Sequence, residues 1–141
     1  MRSFRFEKHL FSSPSSCELV LRGDSKSDAL RRHFVQCIED EAYPVLSDLY
    51  FTRLSLKGVD ATDLEAKRSF LRFVDFSGAL LVGSSFSGSY LYRVNFEGAK
   101  LNRACFCGAV IDNCYFEGAD LENVCCWGTV FHGRGETLWP F

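Results

Sequence analysis

From residue 69 to residue 133, apolar residues return at every fifth position. Cut into fives, the segment reads SFLRF, VDFSG, ALLVG, SSFSG, SYLYR, VNFEG, AKLNR, ACFCG, AVIDN, CYFEG, ADLEN, VCCWG and TVFHG. The third position of twelve of these thirteen pentads is Leu, Ile or Phe; Cys126 is the exception. The first position is always Ser, Ala, Val, Cys or Thr. The fifth is Gly in eight of the thirteen, where average usage of about 7% would give about one. A period of five matches neither the 3.6 of an amphipathic helix nor the 2 of a half-buried strand. Large third residues and small first residues point to a narrow interior that each pentad fills with one bulky side chain. Glycine at the fifth position points to a turn that needs unusual backbone angles.

The register runs upstream in weaker form through LYFTR, LSLKG, VDATD and LEAKR, residues 49–68. Here Leu49, Leu54, Val59 and Leu64 take the first position, and Ala61 and Ala66 take the third. Large and small have exchanged places at 61 and 66, which roughly conserves interior volume. Seventeen pentads result in all.

The pattern resembles the pentapeptide-repeat family, whose repeat is a small residue, a polar residue, Leu or Phe, and two variable residues. AKLNR, ADLEN and VNFEG match it closely. The resemblance implies a mainly β fold, a right-handed quadrilateral β-helix of about four coils with four pentads to a coil. Each third residue would then stack on its copy twenty positions later, at about the 4.8 Å spacing of paired strands. Over residues 49–133 this predicts a short rod. The ends of such a rod need covers. Residues 1–48 are expected to form an N-terminal α+β cap, with SFRFE and CELVLR as two short strands and an amphipathic helix over about 28–41. Ser27 begins that helix, and Leu30, Phe34, Cys37 and Ile38 form its apolar face. Residues 134–141 carry Leu138, Trp139 and Phe141, an apolar tail expected to plug the last coil or to pair two chains. The second of these follows from the resemblance, since family members often pair through that end.

The register also sorts the outer surface. Phe70, Tyr90, Val110 and Val130 stack on one face, with Leu80, Val82 and Tyr92 on or near others. Apolar side chains facing outward need a cover or a partner. The N-terminal cap folding back is the first expectation for Phe70, Leu80, Val82, Tyr90 and Tyr92, and a docked protein is the second. Asp75, Glu97 and Glu117 fall on one side, and Asp120 and Glu122 on the next. Cys105 and Cys125 occupy the same outward position of successive coils, close enough for a disulfide under oxidation, with Cys107 across the same face. These three lack a fourth metal ligand, so free surface thiols are expected. Cys114 and Cys126 point inward and should act as small hydrophobes.

Composition narrows the function. The 141 residues carry 16 basic and 18 acidic side chains, too little positive charge for a general nucleic-acid binder. Seven cysteines and no apolar stretch of signal-peptide or membrane-spanning length lead us to expect reduced thiols in the cytoplasm. No GxSxG, HExxH or P-loop pattern occurs, and a solid rod offers no pocket where polar groups converge. No catalytic residue, metal or cofactor is therefore expected, and the protein is read as a non-enzyme.

Some members of the resembled family mimic duplex DNA and bind type II topoisomerases such as gyrase. Residues 94–133 carry five acids against Lys100 and Arg103. Arg53, Lys57, Lys67, Arg68 and Arg72 offset them in the early coils. A rod of about 20 Å imitating DNA would need about a dozen negative charges, so mimicry could be partial only. The reading is a non-enzymatic module that docks on a protein partner through its outer faces, as a monomer or homodimer. Inhibition of a nucleic-acid-handling complex, such as gyrase or a phage-defence machine, is the setting the resemblance implies. A cysteine-based redox or metal-binding protein and a secreted bacterial effector with a repeat tail stay open as alternatives.

Overall fold

Every fifth residue from Arg53 to Gly133 bends the chain. In the computed structural model, which describes residues 2–5 and 20–133, all of these positions have φ between 50° and 72°. Glycine adopts this left-handed backbone without penalty, whereas other residues pay about 1–2 kcal/mol. Arg53, Asp63, Arg68, Phe73, Arg93, Arg103, Asn113 and Asn123 nevertheless hold it. At these corners, ladder hydrogen bonds to the adjacent coil fix the backbone; the Arg53, Phe73 and Arg103 amides donate to Arg72, Tyr92 and Glu122 at 2.9–3.0 Å.

The bends wind the chain into a parallel β-solenoid of about four turns. Strands β4 (Tyr50–Thr52), β5 (Phe70–Arg72), β6 (Tyr90–Tyr92), β7 (Val110–Asp112) and β8 (Val130–His132) pair in parallel, each residue opposite the one twenty positions on. Parallel bridges such as Asp75–Asn95 and Cys105–Cys125 continue this register on the other sides. The expected inward columns are present. Phe76, Phe86, Phe96, Phe106 and Phe116 are buried, as are Leu71, Leu81, Leu91, Leu101 and Ile111. The exchanged pairs Val59/Ala61 and Leu64/Ala66 are all buried too. In the last coil Leu121, Val124, Cys126 and Phe131 are only partly buried. The tail with Leu138, Trp139 and Phe141 lies outside the described residues.

The ladder extends below the first recognised pentad. Asp48 has φ 62°, Val45 bridges Glu65, and Leu46 is buried. Residues 44–48 therefore behave as one more pentad. Strand β2 (Val20–Arg22) pairs with β4 thirty residues later. Helix α1 (Asp24–Glu39) and strand β3 (Ala42–Val45) fill the excess, and β3 pairs in parallel with β1 (Arg2–Arg5).

Helix α1 differs from expectation at both ends. It starts at Asp24, directly after Gly23 at φ 83°. Ser27 is thus not the cap; its hydroxyl donates to the Gly23 carbonyl and accepts the Ser55 N–H, each at 3.0 Å. Leu30, Phe34 and Cys37 are buried, but Ile38 is 53% exposed, correcting its place on the apolar face. It lies on the rim of a groove between α1 and the first coils. The helix packs on β2 and β3, and Arg31 donates to the Ser55 and Lys57 carbonyls at 3.1 Å. It covers the end of the rod and leaves Phe70 and Tyr90 clear, so α1 does not supply the fold-back over the outer apolar faces. Residues 6–19 lie outside the described ones.

Buried serines in the small first column differ in their partners. Ser89 donates to the Ala66 carbonyl at 2.8 Å and accepts the Ser69 N–H at 3.0 Å. Ser84 is equally buried, but its hydroxyl has no hydrogen-bond partner, and Ala104 already occupies the same place one coil on. An unpaired buried hydroxyl costs about 1–3 kcal/mol, and a made bond contributes about 1 kcal/mol. Ser84→Ala should therefore raise the urea midpoint and Ser89→Ala should lower it. Equal shifts would contradict this assignment.

Candidate functional site

Chemistry on a solenoid must sit on its outside, because Phe and Leu fill the interior. Among the described residues a groove of about 540 Å³ lies between α1 and the first coils, lined by Phe34, Cys37, Ile38, Pro44, Asp60 and Asp63 among others. His33 Nε2 lies 3.7 Å from Cys37 Sγ beside it, the spacing of a nucleophile and a base. Their charge states oppose that role. Burial holds His33 down to about 4. Burial, with Asp40 adding, pushes Cys37 up to about 11. Near neutral pH both groups are uncharged and no thiolate is available to attack.

The acidic residues fall on the sides expected. Asp75 and Asp120 are tied into the backbone, however. Asp75 Oδ1 accepts the Ser77 N–H at 2.8 Å, and Asp120 Oδ1 accepts the Glu122 N–H at 3.2 Å. Asn95 Oδ1 does the same for Glu97 at 2.9 Å. A short side-chain oxygen at the second position of a pentad thus closes a local turn. A hydrogen bond from Asn102, then one from the Glu122 amide and the charge of Lys100, hold the Asp120 carboxyl below its ordinary range. Glu97, Glu117 and Glu122 are exposed. They are spread over two sides and form no dense stripe.

The outer apolar residues separate into two groups. Leu80 is 40% exposed and bridges Asp60 and Lys100 on one side; Val82 is half-buried nearby. Phe70, Tyr90 and Tyr92 belong to another side, formed by β4, β5 and β6. Tyr50, Phe70 and Tyr90 stack there as a ladder, with centroids 4.8 and 5.2 Å apart and planes within 10°. Tyr90 also donates its hydroxyl to Asp112 Oδ2 at 2.7 Å. Two residues along each strand Arg72 and Tyr92 point the same way, and then the corner presents Arg53, Phe73 and Arg93. Phe73 meets Tyr92 edge-on at 5.6 Å. Arg53 and Arg72 each lie 5.2 Å from the Phe73 ring centre, and Arg93 lies 5.8 Å from that of Tyr92. Exposed guanidinium groups over aromatic faces contribute about 0.5–1 kcal/mol each. The sequence reading missed this corner, because its residues occupy the fifth position and register there as turn formers. The recurrence of Arg at 53 and 93, forty residues or two coils apart, was the available signal.

The fourth side carries the cysteines. Cys105 and Cys125 are bridge partners, as the twenty-residue spacing predicts. Cys107 Sγ lies 2.7 Å from Cys125 Sγ, and Ser87 Oγ lies 3.1 Å from Cys105 Sγ. All three sulfurs fall within 4.8 Å of one another. Burial pushes the Cys105 thiol up, but hydrogen bonds from Ser87, the Cys107 backbone and the neighbouring thiols outweigh it and hold the group below its ordinary value. The bond to Cys125 and then burial push Cys107 up to about 12. Cys114 is buried, and desolvation drives its thiol up to about 12, as a filler of the interior should be; Cys126 is half-buried inside the last coil. No helix among the described residues is long and apolar enough to cross a membrane.

Residues 71–107 match the family model for pentapeptide repeats, in 8 copies. Solved structures similar to this chain include a pentapeptide repeat protein of the Arabidopsis thaliana thylakoid lumen, 23% identical, covering 57% of each chain, with a TM-score of 0.40. Rfr23 of the cyanobacterium Cyanothece 51142 is 22% identical over 68% of this chain and 65% of its own, with a TM-score of 0.39. A pentapeptide repeat protein of Nostoc PCC 7120 is 18% identical over 81% of this chain and 88% of its own, with a TM-score of 0.41. This chain thus spans less than two thirds of the first two. No curated protein matches it in sequence.

Proposed function

We propose that this pentapeptide-repeat protein is a non-enzymatic docking module, and that it binds a protein partner through the side formed by β4, β5 and β6. The observation that carries this is the continuous arginine–aromatic surface of Tyr50, Phe70, Arg72, Phe73, Tyr90 and Tyr92, flanked by Arg53 and Arg93. Tyr and Arg dominate the residues that supply most of the energy at protein interfaces. Rings already stacked and guanidiniums already seated lose little freedom on binding, so the surface is preorganised. Three arginines at its edge call for an acidic partner patch.

Inhibition of a nucleic-acid-handling complex by imitating DNA has less support. Asp75 and Asp120 serve turns, and the exposed Glu97, Glu117 and Glu122 are sparse beside the charge density of a duplex. Affinity capture from the native host, using the full chain and the double variant Arg72→Glu/Tyr92→Ala, tests the docking reading. One dominant acidic partner retained by the native chain and lost with the variant is the expected result. Equal capture by both forms would overturn it. A supercoiling assay with purified gyrase tests the mimicry reading directly, and inhibition lost on replacing Glu97 and Glu117 would favour it instead.

A further inference from the structure

We propose that Cys105, Cys107 and Cys125 form a surface site for one thiophilic d10 cation of the zinc class, bound by three thiolates with a fourth position left to Ser87 or water. The argument starts from the backbone. Ladder hydrogen bonds fix these residues: Cys105 N–H to the Ser84 carbonyl at 2.9 Å, Phe106 N–H to the Cys125 carbonyl at 2.7 Å, and Cys125 N–H to the Ala104 carbonyl at 2.9 Å. The three sulfurs lie within 4.8 Å of one another. Tetrahedral zinc with sulfur bonds of about 2.3 Å holds its sulfurs about 3.8 Å apart. Cys107 and Cys125 Sγ, 2.7 Å apart, would separate by about 1 Å, within reach of one χ1 adjustment. Sites on rigid elements lose little entropy on binding, and soft thiolates select this class of cation over magnesium or calcium.

The side chains around the cluster fit an open site. The columns run Ser85, Cys105, Cys125 and Ser87, Cys107, Trp127, and Ser87 Oγ, 3.1 Å from Cys105 Sγ, offers an oxygen for the fourth position. Cys125 is exposed and the other two are half-buried, which gives the ion an entry path. Binding breaks three S–H bonds heterolytically. The protons leave to solvent, each sulfur lone pair becomes a metal–sulfur bond, and no electron is transferred.

Cadmium is the probe, because cadmium thiolates absorb in the ultraviolet. The full chain, reduced and stripped of metal, is titrated with Cd²⁺. The expected result is a charge-transfer band that saturates at one equivalent, together with a change in the emission of Trp127, which is 85% exposed beside the cluster. Cys107→Ser should weaken binding at least about tenfold, and the triple Cys105→Ser/Cys107→Ser/Cys125→Ser variant should abolish the band. Serine already stands at 85 and 87 on this side, and unchanged circular dichroism confirms that the variants fold. Cys126→Ser, at a residue half-buried inside the last coil, should leave the titration intact. A band that survives the triple substitution, or a chain that retains no metal and forms only a Cys107–Cys125 disulfide in air, would overturn the site.

Discussion

Phe96→Ala should destabilise the protein by about 3–5 kcal/mol, the full range for emptying an aromatic site in a packed core. Phe96 is fully buried near the middle of the rod. It stacks on Phe76 at 5.7 Å and on Phe116 at 5.1 Å, and it meets Phe86 and Phe106 edge-on at 5.7 and 5.9 Å. Truncation removes one ring from two stacked pairs and two edge contacts, each contributing about 0.5–1.5 kcal/mol beyond burial. The cavity cannot collapse, because ladder hydrogen bonds hold every coil at the strand spacing. Trp127→Ala, at an exposed site, should stay within about 0.5 kcal/mol. Urea unfolding followed by far-ultraviolet circular dichroism checks the order. Equal losses at 96 and 127 would mean that the buried ring columns do not carry the stability of the rod. A biphasic curve for Phe96→Ala would show the rod dividing at the gap, as nearest-neighbour stability in repeat proteins permits.

The interior was legible in the sequence because side-chain size repeats with the coil. Leu91, Phe96, Leu101 and Phe106 announce one column per side, and the structure buries all four. Pentad 44–48 escaped notice because Pro44 and Asp48 break the small-first, glycine-last signature, although Leu46 keeps its place. Helix α1 was legible as a helix, but not its start. Gly23 was outweighed by the serine start expected downstream, and Ser27 proved to serve Ser55 instead. The outer surface divided differently. Twenty-residue spacing placed Cys105 over Cys125, because both are backbone bridge partners. It could not show Cys107 reaching across to Cys125, since that depends on two side-chain rotamers. The arginine–aromatic corner was illegible for a related reason: a fifth-position residue is defined by its turn, and the direction of its side chain follows only from the left-handed backbone at 53, 73 and 93. Asp75 and Asp120 read as free surface charge in sequence. Their turn contacts depend on an amide two residues on that the coil geometry presents to them.

Leu81→Ala should cost about 2–5 kcal/mol and Ala79→Leu about 1–3 kcal/mol, one for a cavity and one for overpacking. Combined, they should cost less than Leu81→Ala alone. The reason is visible one coil below, where Val59 and Ala61 occupy the same side with the large residue first and the small residue third, both buried. A coil's interior therefore specifies the summed volume of its first and third positions more strongly than which of them is large. Ala79 and Leu81 are both fully buried, and the exchange moves their volume between neighbouring inward sites without changing the sum. Contacting residues of this kind couple by about 0.5–3 kcal/mol, and the coupling here should be favourable. Four urea titrations, on the native chain, both single variants and the double variant, measure it. A double variant that loses the sum of the single losses would show that each column is fixed independently. The early coils would then need a cause for their exchanged residues other than volume. A favourable coupling would explain how Leu64/Ala66 and Phe86/Ser84 can stack in the same rod with opposite patterns.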